Sequence, residues 1–237
     1  MTLPRPEPSV VADANVLHSN DQRNVLMTLA TERQIDLRWT DEIEAEWVGS
    51  LVRRMQGKEG GDATRIRAEL TQRFTGTAQK MREALPEHAL PGYRGHMDSV
   101  PKADAKDRHV AAAAVCCAPS HLLTWNLNDF DGRELADLGV TLQDPDGFLS
   151  DLFARKGATV HGAVVRSHDF VRSGYAKRGR VPPTWDEYLD ILATRGAPNA
   201  LPRFAAALRT WRSEDSETAE AETGPDASDD IPGPGRR

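Results

Sequence analysis

Four carboxylates stand at the edges of apolar segments in this chain. They are Asp13 in S-V-V-A-D-A-N-V-L, Glu46 in W-T-D-E-I-E-A-E-W, Asp107 in D-A-K-D-R-H-V-A-A-A-A and Asp129 in L-L-T-W-N-L-N-D-F. Each borders a strand or helix signal, where a side chain reaches a shared cleft. Hard oxygen donors gathered in this way suit magnesium or manganese, and an ion so held serves phosphodiester hydrolysis. Taken singly, each acid has a plain structural reading. Asp13 could end a strand in a turn, Glu46 could be a solvated helix residue beside Asp41, Glu42 and Glu44, Asp107 could be an N-cap, and Asp129 a loop acid. Taken together, clustered carboxylates repel one another and take up protons unless a cation neutralises them, so the set predicts a metal site. Glu42 is a register rival for Glu46, but Ile43 and Trp47 define the buried face and Glu46 borders it.

The elements that must position these acids alternate in type. Ser9 to Asp13 reads as a short apolar strand, followed by one helix with Val16, Leu17, Val25, Leu26, Leu29 and Ala30 on its buried face. Leu37 to Trp39 is a second strand, and Thr40 and Asp41 offer N-cap chemistry for a helix carrying Ile43, Glu46, Trp47 and Leu51. A helix over Asp62 to Leu85 follows, then an Ala-rich helix opened by Asp107, a buried strand from His121 to Trp125, a short helix from Asp131 to Leu138 and a strand at Val140 to Leu142. Asp146 is expected to cap the helix with Phe148, Leu149, Leu152 and Phe153. The fold class expected is α/β, with a central parallel sheet covered on both faces. In such sheets ligands bind at the carboxyl ends of the strands, where Asp13 and Asp129 fall.

These elements, in this order, resemble the PIN-domain family, and more narrowly the VapC-type ribonuclease toxins of toxin–antitoxin pairs. Asp13, Asn15 and Leu17 match D-x-N-x-L after a strand; Thr40 to Glu46 match T/S-x(5)-E; Asp107 through Ala114 match the third acidic helix; Thr124, Asn126, Asp129 and Phe130 match T-x-N-x-x-D-F. Each element alone is weak, and the ordered set over residues 9–150 is specific. The resemblance implies a PIN-like three-layer fold in which Asp13, Glu46, Asp107 and Asp129 bind one or two Mg²⁺ or Mn²⁺ ions. Asn15, Thr124 and Asn126 would orient the carboxylates or the phosphate. Asp104, one turn before Asp107, reads equally as an outer ligand and as a cap. The implied reaction is cleavage of RNA to a 5′-phosphate and a 3′-hydroxyl. The implied partners are an RNA substrate, a cognate antitoxin and a second copy of the chain. A catalytically silent PIN-fold binding module and a housekeeping RNA-processing nuclease are the alternatives. A haloacid-dehalogenase-type phosphatase would want a second Asp where Asn15 stands.

Three blocks share the net charge of −6 over 237 residues. Residues 1–150, the nuclease-like domain, carry −6; residues 151–212, a helical extension resembling that of a longer PIN subgroup only loosely, carry +6; residues 213–237, read as a disordered tail, carry −6. In the extension, Thr184 with Glu187 forms a capping box, Gly196 suits a helix C′ position, and Leu201, Phe204, Leu208 and Trp211 mark a last helix. Arg172, Lys177, Arg178 and Arg180 are its candidates for contacts to the RNA backbone. Arg53 and Arg54, about two turns past Glu46, read as a solvated face. The seven histidines show no zinc-like spacing, and His109, two residues past Asp107, is expected to face away from the acids. Cys116 and Cys117 are adjacent, which argues against a disulfide framework. With no apolar run at the start or of membrane-spanning length, a cytoplasmic protein is expected.

Overall fold

The computed structural model describes residues 8–57 and 62–211. The acidic segment 213–237 lies outside them. Four short strands, β1 (Ser9–Ala12), β2 (Asp36–Arg38), β3 (Ser120–Leu123) and β4 (Val140–Gln143), form one sheet in the order β2-β1-β3-β4. Every pairing is parallel, with Val10 opposite both Leu37 and His121. Helices flank the sheet, so the fold is α/β as expected. Val10, Val11, Ala12, Leu122 and Leu123 are fully buried, the continuous apolar run of strands covered on both faces. The strand order reverses between β1 and β3, which makes their carboxyl ends the switch point of the sheet.

The single helix expected after β1 is two: α1 (Ala14–Leu17) and α2 (Asn20–Thr31). The chain turns at His18 and at Ser19, whose backbone is extended. Two buried side chains of α2 answer the carbonyls that this break orphans: Gln22 Nε2 donates to Val16 O at 2.8 Å and Arg23 Nη1 to Leu17 O at 2.5 Å.

After β2, α3 (Asp41–Gln56) starts on Thr40, whose hydroxyl accepts from the Ile43 N–H at 3.2 Å. Next comes α4 (Ala63–Ala84), capped by Asp62. Then α5 (Arg108–Cys116) lies against the sheet, with Ala111 to Ala114 all fully buried. Four alanines in a row let that helix approach the strands more closely than larger side chains would allow. A 3₁₀ turn at Leu127–Asp129 and α6 (Gly132–Asp137) connect β3 to β4.

Asp146 does not cap the next helix, α7 (Pro145–Arg155). Asp144 does, accepting from the Gly147 N–H at 2.8 Å. Pro145 at the first helical position fixes the cap one residue upstream. Asp146 is buried instead, and its carboxylate accepts from the N–H groups of Arg203 (3.1 Å) and Phe204 (2.9 Å) and from Arg203 Nε (3.0 Å). It thereby caps a distant helix, residues 202–211.

That helix, α8 (Gly157–Ala176) and α9 (Trp185–Thr194) make up the extension. The boundary at residue 150 falls inside α7, and Val160, Val164, Tyr188, Phe204 and Leu208 belong to the same buried cluster as the sheet. Gly157 is needed for this closure, because a β-carbon there would lie 2.8 Å from the Trp211 ring. The Thr184–Glu187 capping box forms, and Gly196 follows the helix end at φ +93°. Among the described residues, no helix is long and apolar enough to cross a membrane.

Candidate metal centre

Asp13 directly follows β1, and its N–H donates to Leu123 O at 3.0 Å, tying it to the end of β3. Its side chain makes no cap for α1. It is braced sideways: Asn15 Nδ2 donates to Oδ2 at 2.6 Å and Thr124 Oγ1 donates to the same oxygen at 2.7 Å. The fully buried Thr124 hydroxyl also accepts from Asn15 Nδ2 and from the Asn126 N–H, each at 3.0 Å. Its one donor and two acceptor positions are all used. Asn15 Oδ1 accepts from the Trp125 N–H at 3.1 Å. Both side-chain donors land on Oδ2.

The other acids reach the same region. On α3, Glu42 is taken by Tyr93 (2.6 Å) and Arg94 (2.7 Å), and Glu44 by Trp39 and Arg82. Glu46 is left to face the acids, as the Ile43–Trp47 register predicts. Asp107 stands at the N-cap position of α5 without making a cap bond. The Asp104 N–H donates to Asp129 O at 2.8 Å, which ties the two acidic loops together by backbone. The Asp104 carboxylate accepts from the Lys106 N–H at 2.9 Å, closing the turn before α5. Asn126 contributes its backbone N–H to the brace.

Three of these acids are shifted by burial and by charged neighbours. Burial, then Asp13, Asp129, Asp104 and Glu46, push the Asp107 carboxyl up to about 6. Burial raises Asp13, against the Thr124 hydroxyl, the Ala14 and Asn15 N–H groups and His109. Burial also raises Glu46, with His109 opposing and Asp13 adding. Among the described residues, no three His, Cys, Asp or Glu groups lie close enough together to hold an ion as they stand. The four acids therefore meet by field rather than by contact.

His109 does not face away. Its Nε2 lies 3.4 Å from Glu46 Oε2, while its Nδ1 sits 2.8 Å from Lys106 O. Two residues past Asp107 is about 200° around an ideal helix, but Asp107 precedes the helix and leaves the angle open. An Nδ1–H donated to Lys106 would aim the Nε2 lone pair at a carboxylate. The contact is attractive when a proton sits on either partner.

Of the extension's candidates, Lys177, Arg178 and Arg180 are exposed at and beyond the end of α8, with Arg178 over the Tyr175 ring. Arg172 pairs with Asp169 at 3.8 Å and lines a cavity of about 490 Å³ with His168 and Trp185. Among the described residues, none of these four cations pairs with an acid of the cluster. No protein-family model, curated protein or solved structure matches the chain.

Proposed function

We propose that this chain is a divalent-metal-dependent endoribonuclease that hydrolyses phosphodiester bonds in RNA. The observation that carries the reading is the braced Asp13 at the β1/β3 switch point, with Asp107 in electrostatic reach of Asp13, Glu46 and Asp129 together.

By donor chemistry the residues present suit a hard cation, which would draw the carboxylates closer together than they stand. All four donors are carboxylates, the set Mg²⁺ or Mn²⁺ prefers. Burial and mutual repulsion hold Asp107 at about 6, a cost that a bound cation would relieve. Asp13, Glu46, Asp107 and Asp129 would hold it. Bound there, the ion would supply a water of lowered pKa and neutralise charge on the phosphate oxygens.

The chain's own groups do the positioning. Asn15 and Thr124 fix one oxygen of Asp13. His109 on α5 brings its Nε2 to 3.4 Å from Glu46 Oε2. The toxin role, with a cognate antitoxin and a second copy as partners, rests on the resemblance in sequence. A short adjoining gene for a DNA-binding domain with an amphipathic tail would support it.

The test is incubation with a mixed RNA pool, with EDTA, and with manganese restored after EDTA. The reading expects cleavage that EDTA stops and manganese restores, with 5′-phosphate ends. Cleavage indifferent to EDTA, or none in either metal, would overturn it.

A further inference from the structure

Beside the acids, α1, α3, the segment after β3 and the extension enclose a second feature. A cavity of about 220 Å³ is lined by Asn15, His18, Arg54, Trp125, Arg195 and Asn199. It touches the acidic centre through Asn15, which bonds Asp13 on one side and the Trp125 backbone on the other. The volume lies below the ~300 Å³ at which drug-sized pockets begin, so the cavity takes part of an occupant whose remainder stays in solvent.

The lining holds groups that await a partner. Arg54 is exposed, and among the described residues its guanidinium has no acid partner and no hydrogen bond. His18 Nε2 is shielded from solvent and, among the described residues, has no hydrogen-bond partner. Burial, then Arg54, Arg23 and Arg53, hold the His18 imidazole below its usual range, so the ring is neutral at pH 7 and Arg54 supplies the charge beside it. Trp125 is a half-buried aromatic wall.

The extension closes the far side. Arg195 is anchored by Asp21 at 2.8 Å with about half its side chain exposed. Gly196 turns the chain at φ +93°, where a β-carbon would lie 3.1 Å from Asn199 O. That turn carries Asn199 to the cavity.

We infer that this cavity seats the nucleotide of an RNA strand that adjoins the scissile phosphate. Arg54 and Arg195 receive the phosphate, Trp125 stacks the base, and His18 and Asn199 bond the sugar or base edge. Arginine meets phosphate through paired N–H donors, and a base stacks on an aromatic face whatever its sequence. The basic extension then contributes to the site through the loop after α9, rather than through Arg172 to Arg180 at the end of α8. The choice of RNA rests on the nuclease reading.

The experiment measures binding of a fluorescein-labelled, phosphorothioate-linked single-stranded oligoribonucleotide to the full chain in magnesium, across salt concentrations. Cleavage of the unmodified strand is followed separately. Arg54→Gln should weaken binding about tenfold and flatten the slope of log K against log salt by about 0.7, one phosphate contact on a single strand. Trp125→Ala should weaken it about five- to hundredfold. Arg65→Gln, which removes the same charge from an ion pair with Glu69 on α4, should leave it unchanged. Parent-like affinity and slope in Arg54→Gln, an equal loss in Arg65→Gln, or no binding by the parent would each overturn the subsite. A parent that binds as expected and cleaves nothing removes the nuclease reading and leaves the subsite standing. A parent that cleaves while Arg54→Gln binds unchanged does the reverse.

Discussion

Thr124 Oγ1 donates to Asp13 Oδ2 at 2.7 Å across the reversal between β1 and β3. The bond joins two residues that are 111 apart in the chain, and it is what turns a strand-end acid into a positioned carboxylate. Asp13 is only 4% exposed, so water does not replace a lost donor there.

Thr124→Val keeps the shape and removes the hydroxyl. It should cost about 1–3 kcal/mol of stability, because the carboxylate and the Asn126 N–H lose their partner in a buried place. Manganese affinity should fall about 10–100-fold, as for other residues that orient ligands. Thr124→Ser should restore both. Titration calorimetry and thermal melts separate the two effects.

Metal binding should depend on pH through Asp107. With its carboxyl raised to about 6, a proton competes with the ion below that pH. Affinity should rise as pH climbs through about 6 and level off above. The sign for stability is opposite. A raised carboxyl favours the folded state below its ordinary value of 3.8, and that contribution is lost as pH rises through about 6. In EDTA, Asp107→Asn should therefore gain melting temperature over the parent at pH 8 and gain little or nothing at pH 4. Equal differences at the two pH values would contradict the account.

His109 opposes the rise of both Glu46 and Asp13. His109→Gln removes that opposition, so an NMR titration should place both carboxyls higher in the variant than in the parent. Unchanged carboxyl titration would mean that His109 only packs.

Asp146 makes a prediction about architecture alone. Its carboxylate caps residues 202–211 and meets Arg203. Asp146→Ala should cost about 2–3 kcal/mol, combining a lost cap with a charge-assisted bond. Limited proteolysis should then cut first near residues 196–203, with the acidic centre's metal affinity little changed.

Much of this was legible in the chain. The apolar runs before Asp13 and Thr124 predict buried parallel strands, and the Ile43–Trp47 register selects Glu46 over Glu42. What sequence could not give was whatever depends on two distant segments meeting. His109 was placed by the angle of an ideal helix, while Asp107 sits just outside that helix. Asp146 looked like a local cap, and its partners lie at Arg203 and Phe204, 57 and 58 residues on. The break at His18 depends on Gln22 and Arg23 reaching back to α1, a contact with no periodic signature. Arg54 and Arg195 look like ordinary surface charge until the fold brings both to one cavity.

The most direct test of the central claim is RNA cleavage by Asp13→Asn beside the parent, in magnesium, at equal concentration. Asparagine keeps the size of the side chain and its capacity to accept from Asn15 and Thr124, so circular dichroism and melting should stay close to the parent's. The account predicts that cleavage is abolished. Full cleavage by a folded Asp13→Asn would contradict it.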